Sequence, residues 1–325
     1  MHSILIFLDI LSLSTTISLL RTQLREVTSK YLDSSLLLSG GLDSSILCYL
    51  MRPRLSIVTS LGRESEDLKY ANHIAKKYSD NHIECIVEFE DIIKVVPNII
   101  QTFKTFDPLE IRNSSVIFFG IKEAKYSGYS SIVTGDGADE LFAGYNYLQR
   151  YFSDLKKLQM ILDNLWKIMR FSSIRIGNEL GVKVNTPYLE KPIYDFATSM
   201  DITEKVGSHG NKKWGKFILR KAFANELGSN VWRNKMALEQ GSGFDQISSK
   251  FQMVIDDEEF ARESKILTNE KVKVRDKEHL YYYRIYRSIF GPPINEISNL
   301  PRCSFCNSPL ASPRYCYTCG AFPPT

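Results

Sequence analysis

Most of the side chains able to do chemistry fall in two short glycine-rich segments. The first, Ser39-Gly40-Gly41-Leu42-Asp43-Ser44-Ser45, has two glycines that let backbone N–H groups turn toward an anion and three serines that add hydroxyl donors. Asp43 repels a bare phosphate, so its carboxylate fits there only with a divalent cation between the two, which makes it a magnesium candidate. The plainer reading is a Gly/Ser turn whose aspartate caps a helix. The second segment, residues 134–145 (TGDGADELFAGY), sets Asp136, Asp139 and Glu140 among Gly135, Gly137 and Gly144. Such glycine density permits a close backbone approach that an acidic surface turn does not need. Carboxylates from both segments, together with phosphate oxygens, would complete a magnesium shell.

A different chemistry sits in the tail. Cys303-x2-Cys306 and Cys316-x2-Cys319 form two chelating knuckles and predict one tetrahedral, structural Zn²⁺ whose coordination sphere four thiolates close. Two disulfides are the alternative, disfavoured in a chain without a secretory signal. Residues 281–287 (YYYRIYR) admit two readings: a stacking platform for RNA, or an amphipathic helix that buries Tyr281, Tyr282 and Tyr286 with Arg284 and Arg287 in water. The helix is the expectation.

For the two glycine loops to share a ligand, the fold must bring them together. Leu36-Leu37-Leu38 is a short apolar strand that feeds the first loop and then a helix. The alternation continues with a strand at 55–61, a helix at 65–78, a strand at 82–89, a helical stretch at 91–103 that Pro97 kinks or divides, a helix near 115–126 and a strand at 130–135. This order predicts an α/β fold, a doubly wound parallel sheet with helices on both faces, in which loops at the carboxyl ends of neighbouring strands meet in one crevice. Beyond Tyr145 no strand alternation is evident, and 146–171, 190–228 and 244–290 read as helical.

The expected organisation is an apolar helix over 1–20, an α/β core over 21–150, a helical subdomain over 151–290 and a small separate zinc ribbon over 300–325. At 325 residues the chain has room for roughly two domains of ~150 residues. A net charge of +4 demands neither a nucleic-acid nor a membrane partner, and 43% hydrophobic content excludes disorder. Residues 3–20 approach membrane length, but Asp9 interrupts them, no basic region precedes them and no small-residue cleavage site follows. They read as a helix of a cytoplasmic enzyme, with a signal anchor as the alternative.

Taken together, SGGLDSS and GDGADELFAGY resemble the PP-loop ATP-pyrophosphatase domain of glutamine-dependent asparagine synthetases. SEDLKYANHIA (65–75), NTPYLEKPIYDFA (185–197), KFILRKAF (216–223) and WRNKMALEQGSG (232–243) extend the resemblance, in order, over residues 20–245. It implies an ATP-dependent carbon–nitrogen ligase: a carboxylate, L-aspartate by default, is adenylated with release of pyrophosphate, and ammonia then displaces AMP to leave asparagine. It further implies that Ser39, Gly40, Gly41, Asp43, Ser44 and Ser45 hold the pyrophosphate part of ATP, and that Leu38, Ser60, Thr134 and Gly135 line adenosine. Asp43 and Asp139 would bind Mg²⁺. Asp136 would orient the substrate or take a proton from ammonia, and Lys216 would neutralise the departing pyrophosphate. Lys212, Lys213, Lys216, Arg220 and Lys221 crowd one stretch suited to the ~four negative charges of ATP, with Lys216 and Arg220 on one helix face. A solvated basic face is the alternative.

Two departures from the family pattern stand out. The chain reaches the first loop by residue 39, which leaves no room for an N-terminal glutaminase, so nitrogen is expected as free ammonia, from a separate glutaminase subunit, or as an amine on another substrate. Where the family reads E-x-R-x-P-F-L-D, this chain reads Lys183-Val184-Asn185-Thr186-Pro187-Tyr188-Leu189-Glu190. Two other functions stay open. One is a PP-loop tRNA-modifying enzyme that adenylates a base while the ribbon grips RNA; such relatives more often show SGGKDS without a GADELF partner. The other is a non-catalytic nucleotide-binding regulator, against which the retained Asp43, Asp139 and Lys216 argue.

Overall fold

In the computed structural model, which describes residues 2–325 and only the backbone of 2–12, helix α1 (His2–Thr28) leads into strand β1 (Ser35–Leu37). The Ser39-Gly40-Gly41 turn then delivers the chain to helix α2 (Leu42–Met51). Strand β2 (Leu55–Leu61), helix α3 (Glu66–Tyr78), strand β3 (Asn81–Val87), helices α4 (Phe89–Phe103) and α5 (Pro108–Tyr126) and strand β4 (Ser131–Val133) follow in order. The strands, with β5 (Lys183–Asn185), form one sheet ordered β3-β2-β1-β4-β5. The β1–β2, β1–β4 and β4–β5 pairings are parallel, with Leu36 opposite Ser56 and Leu36 opposite Val133. Leu36, Ile57, Val58, Ile132 and Val133 are all buried, as a sheet covered on both faces requires. The chain works outward from β1 through β2 to β3, then returns to place β4 on the other side of β1. That reversal creates the switch point at which doubly wound sheets bind ligands.

Local detail departs from the sequence expectations in three places. Pro97 does not divide its helix: α4 runs unbroken, started by a capping box between Glu88 and Asp91. Strand β5 and an antiparallel hairpin of Gly207–His209 with Lys212–Trp214 appear where no strand was expected. Strands of three residues are too short for a period of two to be read.

Contacts divide the chain into two units. The first comprises the chain up to Val58, Asp67–Cys85 and Gly120–Met236; the second comprises Thr59–Glu66, Ile86–Phe119 and Ala237–Thr325. Both glycine loops and the lysine-rich stretch belong to the first. In the second, helix Lys277–Phe290 packs against α4 and buries Tyr282, Tyr283 and Tyr286. Tyr283 thus takes the place expected for Tyr281, which is only half-buried. Arg284 pairs with Glu259 (2.5 Å) and Glu263 (2.8 Å), and Arg287 with Glu270 (2.5 Å), so both arginines are engaged within the protein. No described helix is long and apolar enough to cross a membrane.

The helical part of the first unit contains a marked electrostatic liability. Helix α6 (Ala138–Leu141) precedes, and helix α7 (Leu155–Ile168) helps to form, an apolar cluster of Leu148, Phe152, Leu158, Leu162 and Val206, beside which Lys205 is 0% exposed. Its ammonium lies 4.5 Å from the Trp166 ring centroid and has no hydrogen-bond partner among the described residues. Burial lowers its pKa from 10.5 to about 8. Below pH 8 both folded and unfolded chains carry the proton and the full penalty is present. Between about 8 and 10.5 only the unfolded chain holds it, so stability rises with pH across that window. At roughly 1.4 kcal/mol per unit, the penalty at neutral pH is about 3 kcal/mol at most. Lys205→Met is therefore expected to raise Tm at pH 7 by several degrees, with the gain shrinking toward pH 10.5. Thermal melts of both proteins across that range check it.

Candidate active site

The loop after β1 is shaped by close backbone approach. Gly40 has φ +66°, and a Cβ there would lie 2.5 Å from atoms of Tyr70 and Ala71 on α3. Gly41 opens α2, a ten-residue helix whose first N–H groups have no partners within the helix. Ser39 and Ser44 approach one another at 3.2 Å (Oγ to Oγ). Asp43 is fixed from behind, because the fully buried Tyr188 donates its hydroxyl to the Asp43 carbonyl at 3.1 Å. The neighbouring loop packs tightly on this one: a Cβ on Gly135 would stand 3.2 Å from Asp43 Cβ.

A third segment crosses over both. Lys216 N donates to the Phe142 carbonyl at 2.7 Å, and Gly215 lies so close that a Cβ would meet the Ala143 carbonyl oxygen at 1.9 Å. Lys216 takes a left-handed conformation (φ +53°), and its side chain extends past Gly144 into the site. Its ammonium bridges Asp43 Oδ2 and Asp139 Oδ1, each at 2.6 Å. Lys235 Nζ lies 2.9 Å from Asp139 Oδ2. Burial works against the ionised Asp139 carboxyl, but the two lysines outweigh it and hold its pKa well below the usual carboxylate range. The same carboxylates raise the pKa of Lys235 against the opposing effect of burial.

Asp136 has a different setting. Its carboxylate accepts from Thr134 Oγ1 at 2.9 Å and from the Ser173 hydroxyl, yet burial dominates and pushes its pKa up. Glu140 shifts the same way from burial, with Tyr145 donating to it at 2.5 Å.

The structure therefore brings Asp43, Asp139 and Lys216 within hydrogen-bond reach and sets Ser39, Gly40, Gly41, Ser44 and Ser45 on the same loop and helix start. Leu38 is buried and donates its N–H to the Ile57 carbonyl at 2.8 Å. Ser60 closes β2 in the second unit, where its hydroxyl engages Gly62 O at 2.8 Å and Ser65 Oγ at 2.7 Å. Arg220 does not point its charge at the carboxylates; it donates to the Gly215 carbonyl at 2.9 Å and to that of Val231. Sequence reasoning missed Lys235 and Arg233. Arg233 lies 3.8 Å from the Tyr70 ring centroid and pairs with Asp67 at 3.0 Å. Their only signal was the R-x-K spacing within residues 232–243.

A family model described as asparagine synthase matches residues 18–175, which carry both glycine loops. A probable glutamine-hydrolysing asparagine synthetase of Dictyostelium discoideum is 27% identical over 78% of this chain and 51% of its own length. Asparagine synthetase B of Escherichia coli K12 is 26% identical over 66% of the chain and 42% of its own length, and an Arabidopsis thaliana synthetase 25% over 79% and 47%. The chain thus spans about half the length of the curated relatives it matches. Of the positions where the sequence departs from the family pattern, Tyr188 reaches the Asp43 carbonyl, whereas two others, among the described residues, form no hydrogen bond with the site carboxylates. Lys183 is exposed, and Asn185 Nδ2 donates to Ser34 Oγ at 3.3 Å.

The cysteine cluster lies in the second unit. Cys303, Cys306, Cys316 and Cys319 are all buried, and their sulfurs lie within 4.8 Å of one another. The Cys303–Cys319 and Cys306–Cys316 sulfur separations are both 3.7 Å. Four sulfurs ~2.3 Å from a tetrahedral centre stand about 3.8 Å apart, so the donor set fits Zn²⁺. Phe305 N donates to Cys303 Sγ at 3.4 Å, an outer-shell bond of the kind that orients thiolate ligands. The second knuckle is tied to the rest of the unit. Thr105 Oγ1 donates to the Tyr317 carbonyl and Phe106 N to that of Thr318, both at 2.8 Å, and Arg275 donates to the carbonyls of Cys319 (3.2 Å) and Gly320 (3.3 Å).

Proposed function

We propose that this chain is an ATP-dependent, AMP-forming carbon–nitrogen ligase that adenylates a carboxylate, L-aspartate by default, and passes the acyl group to ammonia. The observation that carries this reading is the convergence of Asp43, Asp139 and Lys216 where the loops after β1 and β4 meet. Such a site suits a polyphosphate: N–H groups at the start of α2 can donate to anionic oxygens, and Lys216 and Lys235 supply cations close at hand. Asp43 Oδ1 is buried with no hydrogen-bond partner among the described residues, which fits a carboxylate meant to ligate a metal. Asp43 and Asp139 would hold Mg²⁺, which when bound shields the phosphate charge.

In the first step a substrate carboxylate oxygen attacks the α-phosphorus and the α–β bridging bond breaks, leaving pyrophosphate with Ser39–Ser45 and Lys216. In the second, ammonia attacks the acyl carbon and AMP departs with the electron pair of the broken C–O bond. Asp136, whose raised pKa suits a base, takes the proton that the new amide nitrogen sheds. Ammonia is the attacking species whether it arrives free or from a separate glutaminase. A cytoplasmic setting, where thiols stay reduced, suits the four tail cysteines as zinc ligands.

The test is release of pyrophosphate and AMP from purified protein with Mg·ATP, aspartate and ammonium, with asparagine followed by mass. Equal yields of pyrophosphate, AMP and asparagine are expected, with a loss of about 100-fold or more in Asp43→Ala. Pyrophosphate release indifferent to aspartate would remove that substrate, and no release with any carboxylate would remove the ligase reading.

A further inference from the structure

We propose that this site takes its divalent cation only as a complex with the nucleotide, because Lys216 occupies the cation position until a polyphosphate draws it away. The proposal rests on the nucleotide reading above and specifies which form of the ligand the site accepts. Both carboxylates that would ligate a metal already have ammonium partners. Lys216 spans Asp43 and Asp139 at 2.6 Å each, and Lys235 holds the other oxygen of Asp139 at 2.9 Å. Two carboxylates and two ammoniums sum to zero, so a free divalent ion gains little from these four groups, while it must shed water to enter. It must also expel Lys216, whose side chain is 3% exposed. A metal–nucleotide complex differs in kind, since its phosphate oxygens offer Lys216 a new anionic partner as the metal takes its old ones.

The backbone builds this pose of the lysine. Lys216 is held left-handed at φ +53° with its N–H on the Phe142 carbonyl. Its Cε then passes where a Cβ on residue 144 would stand, 2.0 Å away, so the side chain lies in space that only glycine leaves open. Asp43 Oδ1 meanwhile stays buried and unpartnered among the described residues, keeping one ligand position in hand.

Mn²⁺ serves as the probe, its free aquo ion counted by electron paramagnetic resonance. With wild-type protein the free signal is expected to fall when ATP is present, and to stay unchanged without ATP at the same Mn²⁺ concentrations, after correction for Mn²⁺ bound by ATP alone. Lys216→Met is expected to bind Mn²⁺ without nucleotide at least about tenfold more tightly than wild type. Equal depletion of Mn²⁺ by wild type with and without ATP overturns the proposal, as does a Lys216→Met protein that binds Mn²⁺ no better than wild type. If that variant fails to fold, the wild-type comparison decides alone. Absence of any protein-bound Mn·ATP in wild type would instead remove the nucleotide reading, and this inference with it.

Discussion

Gly144→Ala is expected to lower pyrophosphate release by about 100-fold or more while leaving Tm within a few degrees of wild type. The added Cβ would stand 2.0 Å from Lys216 Cε and 2.1 Å from Asp139 Oδ1. Lys216 can swing its flexible end aside, so the backbone need not move and the fold survives. The swing, however, moves the ammonium away from the pose in which it can turn to the phosphates, and a displacement near 1 Å in a charge-stabilising group is enough for a loss of that size. Gly215→Ala makes the contrast. Its Cβ would meet the Ala143 carbonyl oxygen at 1.9 Å, a backbone atom that cannot rotate away, so this variant is expected to melt earlier as well as to lose activity. Melting curves and pyrophosphate assays on both proteins separate the two effects. A Gly144→Ala enzyme with near-normal activity would remove Lys216 from its assigned place.

Metal removal is the second large effect. The cysteine cluster supplies all four ligands of the fitted zinc, and its second knuckle accepts hydrogen bonds from Thr105, Phe106 and Arg275. A further contact joins Tyr315 to Asp107, which also receives the N–H of Leu109 at 3.1 Å at the start of α5. Losing such a metal would leave four thiols crowded together and free the knuckle, so these bonds would go with it. Structural zinc contributes on the order of 10 kcal/mol in small modules, and a zinc bound here would support residues 104–112 and 273–279 as well as the tail. Chelation is expected to release about one equivalent of zinc and to lower the main unfolding transition by about 10 °C or more. Cys316→Ser should behave like the chelated protein. Metal analysis with calorimetry checks this, and a zinc-free preparation with unchanged melting would count against the metal reading.

The chain's local chemistry was legible wherever glycine, charge and spacing act over a few residues. SGGLDSS could be read as an anion loop because φ > 0 at Gly40 and a helix start at Leu42 are short-range properties. The same holds for the cysteine pairs, whose spacing alone makes a knuckle. The βα alternation also sufficed for a parallel sheet of the doubly wound kind, while the strand order that sets β1 beside β4 came from the structure. β5 escaped notice because Lys183–Asn185 is held as a strand by its pairing to Ser131–Val133 and not by any pattern of its own. Tyr281 and Tyr283 exchanged roles for a related reason: the exact phase of a helix against its neighbour depends on what it packs against.

The arrangement of charge lay beyond such reading. By itself the sequence determined a Gly/Ser loop between a strand and a helix, an acidic glycine-rich partner segment and two cysteine pairs with metal-ligand spacing. Only the tertiary structure decided that Lys216, 173 residues from Asp43, bridges the two carboxylates, that Lys235 joins it, and that Arg220 turns away to backbone carbonyls. The physical reason is that an ion pair forms or fails within a few ångströms, while five cations in one short stretch look alike until the backbone at Gly215 and Lys216 aims one of them.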